Sequence, residues 1–334
     1  MSVQLPVMTQ KIDDAFTHTW YEIQKQAVDN ILDANVVTAA LKEKGSFKAQ
    51  VGGRFITKTL RYGKKMTQEI AKGSILSSGE DEIETTAMWR WKYFSSHVQR
   101  SQMDDQQNNG KAAIKSLVQT KISAAKDALQ EKVELVTFNP YNPSGDEESS
   151  KTIQGLNDLI PPKGYEDADV TYGGINRSTN SWWRSNYAAF SPNPEVHLLS
   201  DMKSMFNTCT SHIEAPNLII ASKTKFELFE DFALDMSQIV VKDSGTLADL
   251  GYRVLQFKGT DLVWVPDERI KISDKDQMLF LNTNFIEFVY DPQLWFAMTN
   301  WKDIPLQTER IAHILCAANM IGFQPRRQGR IYES

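Results

Sequence analysis

A long amphipathic pattern between residues 104 and 136 is the strongest hydrophobic signal in this chain. Its apolar residues recur mostly at steps of three and four, which places them on one stripe of a helix: Ile114, Leu117, Val118, Ile122, Ala125, Leu129, Val133 and Val136. No proline interrupts the segment, and four residues near its start are candidate N-caps: Asp104, Asp105, Asn108 and Asn109. We predict one long helix that lies across a sheet as a spine.

Two strand-like runs precede this helix and are predicted to pair as an extended ribbon. The first covers residues 47–62 and bends at Gly52-Gly53. The second covers residues 85–98 and contains three aromatic residues that alternate as in a half-buried strand: Trp89, Trp91 and Tyr93. Because a two-stranded ribbon is only marginally stable in water by itself, this one is expected to be held by something outside itself.

The rest of the chain predicts an α+β protein in which helices alternate with short strands after Pro194. Helices are expected near 196–209 and 226–236, and short strands in five segments: 217–221, 252–257, 261–265, 278–281 and 285–290. A long alternating strand is predicted at 304–321, before a polar, basic tail at 324–334. The chain is thus divided into an N-terminal arm (1–44), an extended two-stranded loop with its return strand (45–100), the long helix (101–139), a compact α/β region (140–300) and a C-terminal strand with the tail (301–334).

The composition is that of an ordinary soluble globular protein, with 41% apolar and 24% charged residues among 334. The 37 basic and 42 acidic side chains leave the chain mildly acidic, which argues against a protein that wraps nucleic acid over a basic surface. No apolar run approaches the roughly 20 residues that span a bilayer, and we find no signal-peptide pattern. Cys209 and Cys316 are expected to fill the core of a protein made in a reducing cytoplasm.

Charge is segregated along the predicted ribbon. Positions 45–78 hold seven basic residues against one acid, a net charge of +6, and positions 79–87 hold four acids and no base, a net charge of −4. Either these are solvated faces that satisfy each other across the turn, or the basic part of one subunit meets the acidic part of its neighbour. The second alternative makes ten residues candidates for contacts between subunits: Arg54, Lys58, Arg61, Lys64, Lys65, Lys72, Glu80, Asp81, Glu82 and Glu84. Trp20 joins them because the N-terminal arm carries aromatic surface that needs something to lie on.

No constellation of catalytic, metal-binding or cofactor-binding residues is recognisable in the sequence. Gly173-Gly174 lacks the spacing of a phosphate-binding loop, and the five histidines lack the spacing of metal ligands. There is no G-x-S-x-G elbow for a nucleophilic serine. Trp182-Trp183 offers a stacking platform for bases, but adjacent tryptophans are more typical of a packing anchor. The sequence therefore predicts a protein that is not an enzyme and that holds no metal and no cofactor.

Several short strings along the chain carry a resemblance to a known family. They are the Gly-Gly-Arg-Phe-Ile…Leu-Arg-Tyr-Gly ribbon at 52–63, Thr-Thr-Ala-Met-Trp-Arg-Trp-Lys at 85–92 and Asn-Gly-Lys-Ala-Ala-Ile at 109–114. Ile-Gln-Gly-Leu-Asn at 153–157 and the glycine- and tryptophan-rich string at 173–184 complete the set. In this order, after an N-terminal arm, they resemble the major capsid proteins of tailed bacteriophages with the Hong Kong 97-like fold.

The resemblance implies a peripheral domain built on the spine helix, an axial domain near 140–300, an extended loop over a neighbouring subunit and an arm that laces along adjacent subunits. It implies a head protein that self-assembles as hexamers and pentamers into an icosahedral shell. That shell would enclose double-stranded DNA without sequence-specific binding. The implied location is the virion capsid, assembled in the cytoplasm of the host bacterium.

The implied partners are other copies of the chain, a portal, a scaffold and, in some relatives, a decoration protein, with no membrane involved. Because only about 45 residues precede the ribbon, the scaffold is expected to be a separate protein.

Three alternatives remain open at this point. An encapsulin compartment shares the fold but encloses cargo enzymes, so the contents of a purified particle distinguish it. A soluble α/β enzyme with an unusual hairpin predicts a small oligomer and a pocket with converging polar groups. A nucleic-acid binder that uses Lys58 to Lys72 predicts DNA affinity of the monomer that falls steeply with salt.

Overall fold

Two six-stranded β-sheets with helices packed against them form most of the described chain. The computed structural model describes the following residues: 18, 20, 36–63, 67, 69–73, 82–101, 111–138, 151–162, 171–211, 213–235, 254–266, 270, 275–305 and 307–333. Within these residues, no helix has the length and apolar character needed to cross a membrane.

The described residues form both helices and strands, and most strand pairs are antiparallel, as expected for an α+β protein. The helices are α1 (Val36–Glu43), α2 (Lys111–Thr137), α3 (Leu156–Leu159), α4 (Pro194–Cys209) and α5 (Lys223–Asp235), with 3-10 turns at Ser181–Trp183, Thr283–Phe285 and Pro325–Arg327. The strands are β1 (Phe47–Ala49), β2 (Phe55–Arg61), β3 (Glu84–Arg90), β4 (Lys92–Ser101), β5 (Thr171–Tyr172), β6 (Ile175–Asn176), β7 (Asn186–Ala189), β8 (Leu218–Ala221), β9 (Leu255–Phe257), β10 (Thr260–Trp264), β11 (Gln277–Leu281), β12 (Ile286–Tyr290), β13 (Ala297–Met298), β14 (Lys302–Asp303), β15 (Glu309–Gly322) and β16 (Gly329–Tyr332).

The first sheet is built around β15, a strand of 14 residues. On one side β15 pairs antiparallel with β4, and on the other side it pairs with β12, β13 and β14. β1 adds to β12 in parallel. The predicted long strand is therefore confirmed, but it begins at Glu309 because residues 302–303 form the separate strand β14, which folds back on it.

Helix α2 packs against β4 of this sheet, as its apolar stripe predicts. The described residues of the stripe are buried: Ile122, Ala125, Leu129, Val133 and Val136. With 27 residues and a rise of ~1.5 Å each, the helix is about 40 Å long. Residues 104–109, with the candidate N-caps, lie outside the described residues, as do the side chains of three stripe positions: Ile114, Leu117 and Val118.

The second sheet has the strand order β7-β16-β11-β8-β10-β9 and is covered by α4 and α5. Every residue of β8 and β11 is buried, because both faces of these strands are covered. On one face Ile219 and Phe280 pack with Met202 of α4, and on the other face Ile220 joins the core that the two sheets share. The predicted helices and the predicted buried strand at 217–221 are confirmed.

Each of the two predicted ribbon strands is divided in two. In the first run, β1 pairs with β12, and Gly52 and Gly53 turn the chain at φ values of 69° and 91° before β2 begins. In the second run, the break falls at Trp91, so that β3 stays with β2 while β4 joins β15. Because the two halves belong to different sheets, the alternation of buried and exposed side chains does not continue across the break. Trp89 is 0% exposed, whereas Tyr93, four residues later, is 65% exposed. The prediction of one continuous half-buried strand is wrong.

The segment 324–334 is polar and basic in sequence, but Gly329–Tyr332 form the strand β16 between β7 and β11. Arg330 of this strand is 1% exposed. Its Nη2 donates to the Ile160 carbonyl at 2.6 Å and to Asn157 Oδ1 at 2.5 Å. The basic residue therefore binds buried acceptors instead of solvent. Since β12 lies in the first sheet and β16 in the second, the two sheets draw strands from both sides of residue 300.

Candidate assembly surface

The β2–β3 ribbon has one exposed face and one face that packs on the body of its own subunit. The strands pair antiparallel from Phe55–Arg90 to Arg61–Glu84. Alternate residues are buried on the packed face: Ile56, Leu60, Ala87 and Trp89. The opposite face exposes Thr57, Thr59, Thr86 and Met88. The described part of the ribbon is thus supported by other segments of the same chain.

Trp89 is the first of three anchors that hold the ribbon. Its indole is edge-on to Tyr172, with the ring centroids 5.9 Å apart. The turn at Gly173 lies so close that a Cβ there would come within 2.8 Å of the Trp89 ring, and Gly173 has a φ of +60°. The amide of Met88 donates to the Gly173 carbonyl at 2.9 Å. Glycine is therefore required at 173 for close approach, and the turn is a docking point for β3.

The adjacent tryptophans form the second anchor. Trp182 stacks on Tyr62 at the end of β2, with centroids 4.8 Å apart and rings within 11° of parallel. Trp183 is 1% exposed, and its Nε1 donates to the Tyr172 carbonyl at 2.9 Å. The interpretation of this pair as a packing anchor is confirmed.

An ion pair is the third anchor. Lys58 Nζ lies 2.6 Å from Glu287 Oε2, and the same ammonium lies 5.4 Å from the centroid of the Phe323 ring. Lys58 is on the packed face, between Ile56 and Leu60, so it points toward β12. Sequence reasoning missed Glu287 as a partner; the signal was a carboxylate at an otherwise apolar strand, Ile286–Tyr290.

The strings at 153–157 and 173–184 meet beside these anchors. Arg177 is 1% exposed, and its Nη2 donates to the carbonyls of Asp158 and Leu159 at 2.7 and 3.0 Å. The hydroxyl of Ser185 donates to the same Leu159 carbonyl at 2.7 Å. Carbonyls at the end of a helix have no intrahelical partner, so these donors satisfy the end of α3. The two strings form one structural unit below the ribbon.

Most described candidate contact residues lie on the surface of the ribbon or of the loop beyond it. The exposed ones are Arg54, Arg61, Lys72, Glu82 and Glu84. Arg61 is directly opposite Glu84 in the strand register, which places opposite charges side by side within one ribbon. Lys64, Lys65, Glu80 and Asp81 lie outside the described residues. The contact between subunits stays a prediction for all of them.

Trp20 of the N-terminal arm is covered by its own subunit. Its side chain is 3% exposed, and its Nε1 donates to the Phe296 carbonyl at 3.2 Å. Helix α1, at the end of the arm, buries residues 36–41 in the same core. Little of the Trp20 ring is left for a neighbour, and its predicted role between subunits stays untested.

Metal-ligating side chains, thiols and the lining of a groove describe the chemistry of the described residues. They contain no group of three or more metal-ligating side chains around a common point. Burial raises the pKa of Cys209 to about 12 and raises the pKa of Cys316 as well, so both thiols stay protonated. A groove of about 380 Å³ between α2 and β4 is lined by described residues that include Lys132 and Lys151 but no carboxylate, imidazole or thiol.

Comparison with known proteins yields matches among solved structures. No protein-family model and no curated protein matches the chain. The capsid asymmetric unit of cyanophage A-1(L) is 16% identical and aligns over 89% of this chain and 92% of that chain, with a TM-score of 0.62. The capsid of Myoviridae phage XM1 is 6% identical over 87% and 90%, with a TM-score of 0.54. The capsid of a native GTA particle is 8% identical over 88% and 90%, with a TM-score of 0.52. At these identities, the matches establish the fold.

Proposed function

Since this chain has the fold of tailed-phage major capsid proteins, we propose that it is the major head protein of such a phage. It self-assembles into an icosahedral shell that encloses double-stranded DNA. The observation that carries this proposal is the alignment of 89% of the chain with the cyanophage capsid subunit. The alignment covers most of both chains, 89% of this one and 92% of that one.

We assign the two proposed domains of the capsid subunit to the two sheets. The first sheet with α2 forms the peripheral domain, and the second sheet with α4 and α5 forms the axial domain, gathered around the centres of hexamers and pentamers. The ribbon and the loop beyond it form the extended loop that lies over a neighbouring subunit. The N-terminal arm laces along adjacent subunits.

Many weak contacts hold the proposed shell together. Each subunit makes several contacts at once, so modest single contacts add up to a stable assembly. The exposed charges near the ribbon give these contacts direction, because basic and acidic patches on different copies attract one another. Lys58, which is paired with Glu287 of its own chain, supports the ribbon, and the exposed Arg54, Arg61 and Lys72 are among the described basic side chains that can contact neighbours.

The proposed partners are other copies of this chain, a portal, a separate scaffold protein and a decoration protein. The DNA is enclosed without sequence-specific binding, and assembly takes place in the cytoplasm of the host bacterium. The proposed role in the shell depends on contacts between subunits and includes no catalysis. Mass spectrometry of the subunit from purified particles tests the separate scaffold, because removal of a long N-terminal segment would contradict it.

The decisive experiment is negative-stain microscopy with sedimentation on the protein expressed alone and then with the neighbouring genes. Closed shells, aberrant shells or capsomer rings are expected. A discrete dimer or tetramer under every condition would overturn the proposal in favour of a soluble enzyme. Nuclease-protected DNA inside particles from infected cells supports a phage head, whereas protein cargo without DNA supports an encapsulin-like compartment.

A further inference from the structure

We propose that His97 and His313 form a two-histidine site for a divalent transition-metal ion such as Zn²⁺. The two residues are directly opposite each other in the antiparallel register of β4 and β15. Opposite residues on neighbouring strands project from the same face of a sheet. Both imidazoles therefore leave the first sheet together, at adjacent points.

Backbone hydrogen bonds show that this pair belongs to the closer of the two antiparallel types. The amide of His313 donates to Thr299 Oγ1 at 2.9 Å, and its carbonyl accepts from the Thr299 amide at 2.8 Å. The polar backbone groups of His313 thus point away from β4, which makes His97–His313 a non-hydrogen-bonded pair. In such pairs the Cα atoms are about 4.5 Å apart and the side chains approach most closely.

The separation of the His97 and His313 side chains allows both imidazoles to bind one metal ion. A zinc ion binds imidazole nitrogen at about 2.0–2.1 Å, so two nitrogens on a tetrahedral ion lie roughly 3.4 Å apart. Side chains with Cβ atoms about 4.5–5.5 Å apart reach that spacing by rotation about the bonds that carry the rings. Imidazole is a ligand that suits zinc, copper and nickel, whereas magnesium and calcium prefer oxygen.

Both rings are accessible, and the residues on either side of them along β4 and β15 carry no charge. His97 is exposed and His313 is half-buried. The alternation of the strands places Ser95 and Gln99 on either side of His97, and Ile311 and Leu315 on either side of His313. On the same face, the exposed Lys302 of β14 lies opposite Ile311 and diagonal to His313, and its long side chain is free to extend into solvent away from a bound metal ion.

The site is open. Two imidazoles fill two positions of a four-coordinate ion, and the other positions take water or a group from another copy of the chain. The sequence alone predicts no metal site, because the two histidines are far apart in the chain and meet only through strand pairing. Since the ion binds the folded register of β4 and β15, it stabilises the folded subunit by mass action.

The test is calorimetric titration of the full-length subunit with ZnCl₂, together with thermal unfolding in its presence and absence. We expect one zinc ion per subunit and a rise in Tm of about 2–5 °C at saturating zinc. His97→Gln and His313→Gln are each expected to weaken binding at least tenfold. His197→Gln is the matched control, because His197 is an exposed histidine on α4.

The outcome for each variant decides the proposal. Absence of zinc binding, binding that survives both His97→Gln and His313→Gln, or equal weakening by His197→Gln would overturn it. Circular dichroism and the Tm without zinc identify a variant that fails to fold. His313 is half-buried, so the variant His313→Gln is the one more at risk of instability. In that case zinc binding by His97→Gln, at the exposed residue of the pair, decides whether the site exists.

Discussion

Lys58 Nζ lies 2.6 Å from Glu287 Oε2 and joins the middle of the β2–β3 ribbon to the first sheet. The Lys58 side chain is 35% exposed and that of Glu287 is 12% exposed, so water screens the pair only in part. Lys58, one of the candidate residues for contact with a neighbour, thus points toward its own subunit. The ion pair fixes where the ribbon rests on its own subunit.

Glu287→Gln is expected to lower the free energy of unfolding by about 1–2 kcal/mol. The substitution leaves the partly desolvated Lys58 ammonium without its charged partner. Because Lys58 is partly exposed, solvent screening makes this loss smaller than it would be for a fully buried ion pair. Urea unfolding of the isolated subunit measures this. A double-mutant cycle with Lys58→Met separates the pair from the packing of each side chain.

The exposed pair Lys223–Glu227 on α5 is the control for this measurement. Its atoms are 3.7 Å apart, and its side chains are 60% and 59% exposed. Glu227→Gln is expected to change the free energy of unfolding by less than about 0.5 kcal/mol. Equal effects of the two substitutions would contradict an anchoring role for Glu287.

Gly173→Ala is expected to destabilise the subunit by about 2–4 kcal/mol. Two costs add: the left-handed φ of +60°, and a Cβ within 2.8 Å of the Trp89 ring. The matched control is Gly174→Ala, since Gly174 has a φ of +76° but nothing within 4 Å of an added Cβ. It bears only the backbone cost of about 1 kcal/mol. Thermal and urea unfolding measure both, and a larger effect at 174 than at 173 would refute the close contact.

Replacement of Glu80, Asp81, Glu82 and Glu84 by serine is expected to reduce particle yield about tenfold while the subunit stays folded. The reason is that the substitution removes the attraction between the acidic patch of one copy and the basic patch of its neighbour. Sedimentation and microscopy measure the yield, and circular dichroism checks the fold. A control variant removes four exposed acids elsewhere: Glu131, Glu195, Glu227 and Asp231. Normal particle yield and heat resistance of the Glu80, Asp81, Glu82 and Glu84 variant would contradict the proposal that acidic and basic patches pair between copies.

Cys209 and Cys316 are expected to resist thiol reagents at pH 8 until the subunit unfolds. Burial raises the pKa of Cys209 from 9.0 to about 12 and raises the pKa of Cys316, so neither side chain is a thiolate. The sign of the pH effect follows: above about pH 9 the unfolded chain releases these protons first, and the free energy of unfolding falls as pH rises toward 12. Labelling followed by mass spectrometry measures reactivity, and rapid labelling of the folded protein would contradict the assigned burial.

Several elements were predictable from local patterns alone. The stripe of α2, the buried run of β8 and the alternation of β15 all depend on which residues are neighbours at helical or strand spacing. The anchor role of Trp182-Trp183 was predictable for a similar reason, because two adjacent large rings are hard to leave in water. The exposed acids Glu82 and Glu84 were predictable from their charge.

The strand break at Trp91, the strand β16 and the partner of Lys58 were not predictable in this way. The break at Trp91 depends on two sheets that compete for one run of strand-forming residues, and β16 is an apparently polar segment whose arginine finds buried carbonyls only in the folded chain. The partner of Lys58 lies on a strand from the far half of the chain.

By itself, the sequence determined the type and approximate place of the helices and long strands, because periodicity is a property of near neighbours. Only the tertiary structure decided where those strands end, which sheet each joins, and which distant residues come together, as Lys58 pairs with Glu287 and His97 lies opposite His313 in the register of β4 and β15. The physical reason is that sheet pairing and burial are contacts between segments far apart in the chain. Their free energies outweigh local preference wherever the two disagree.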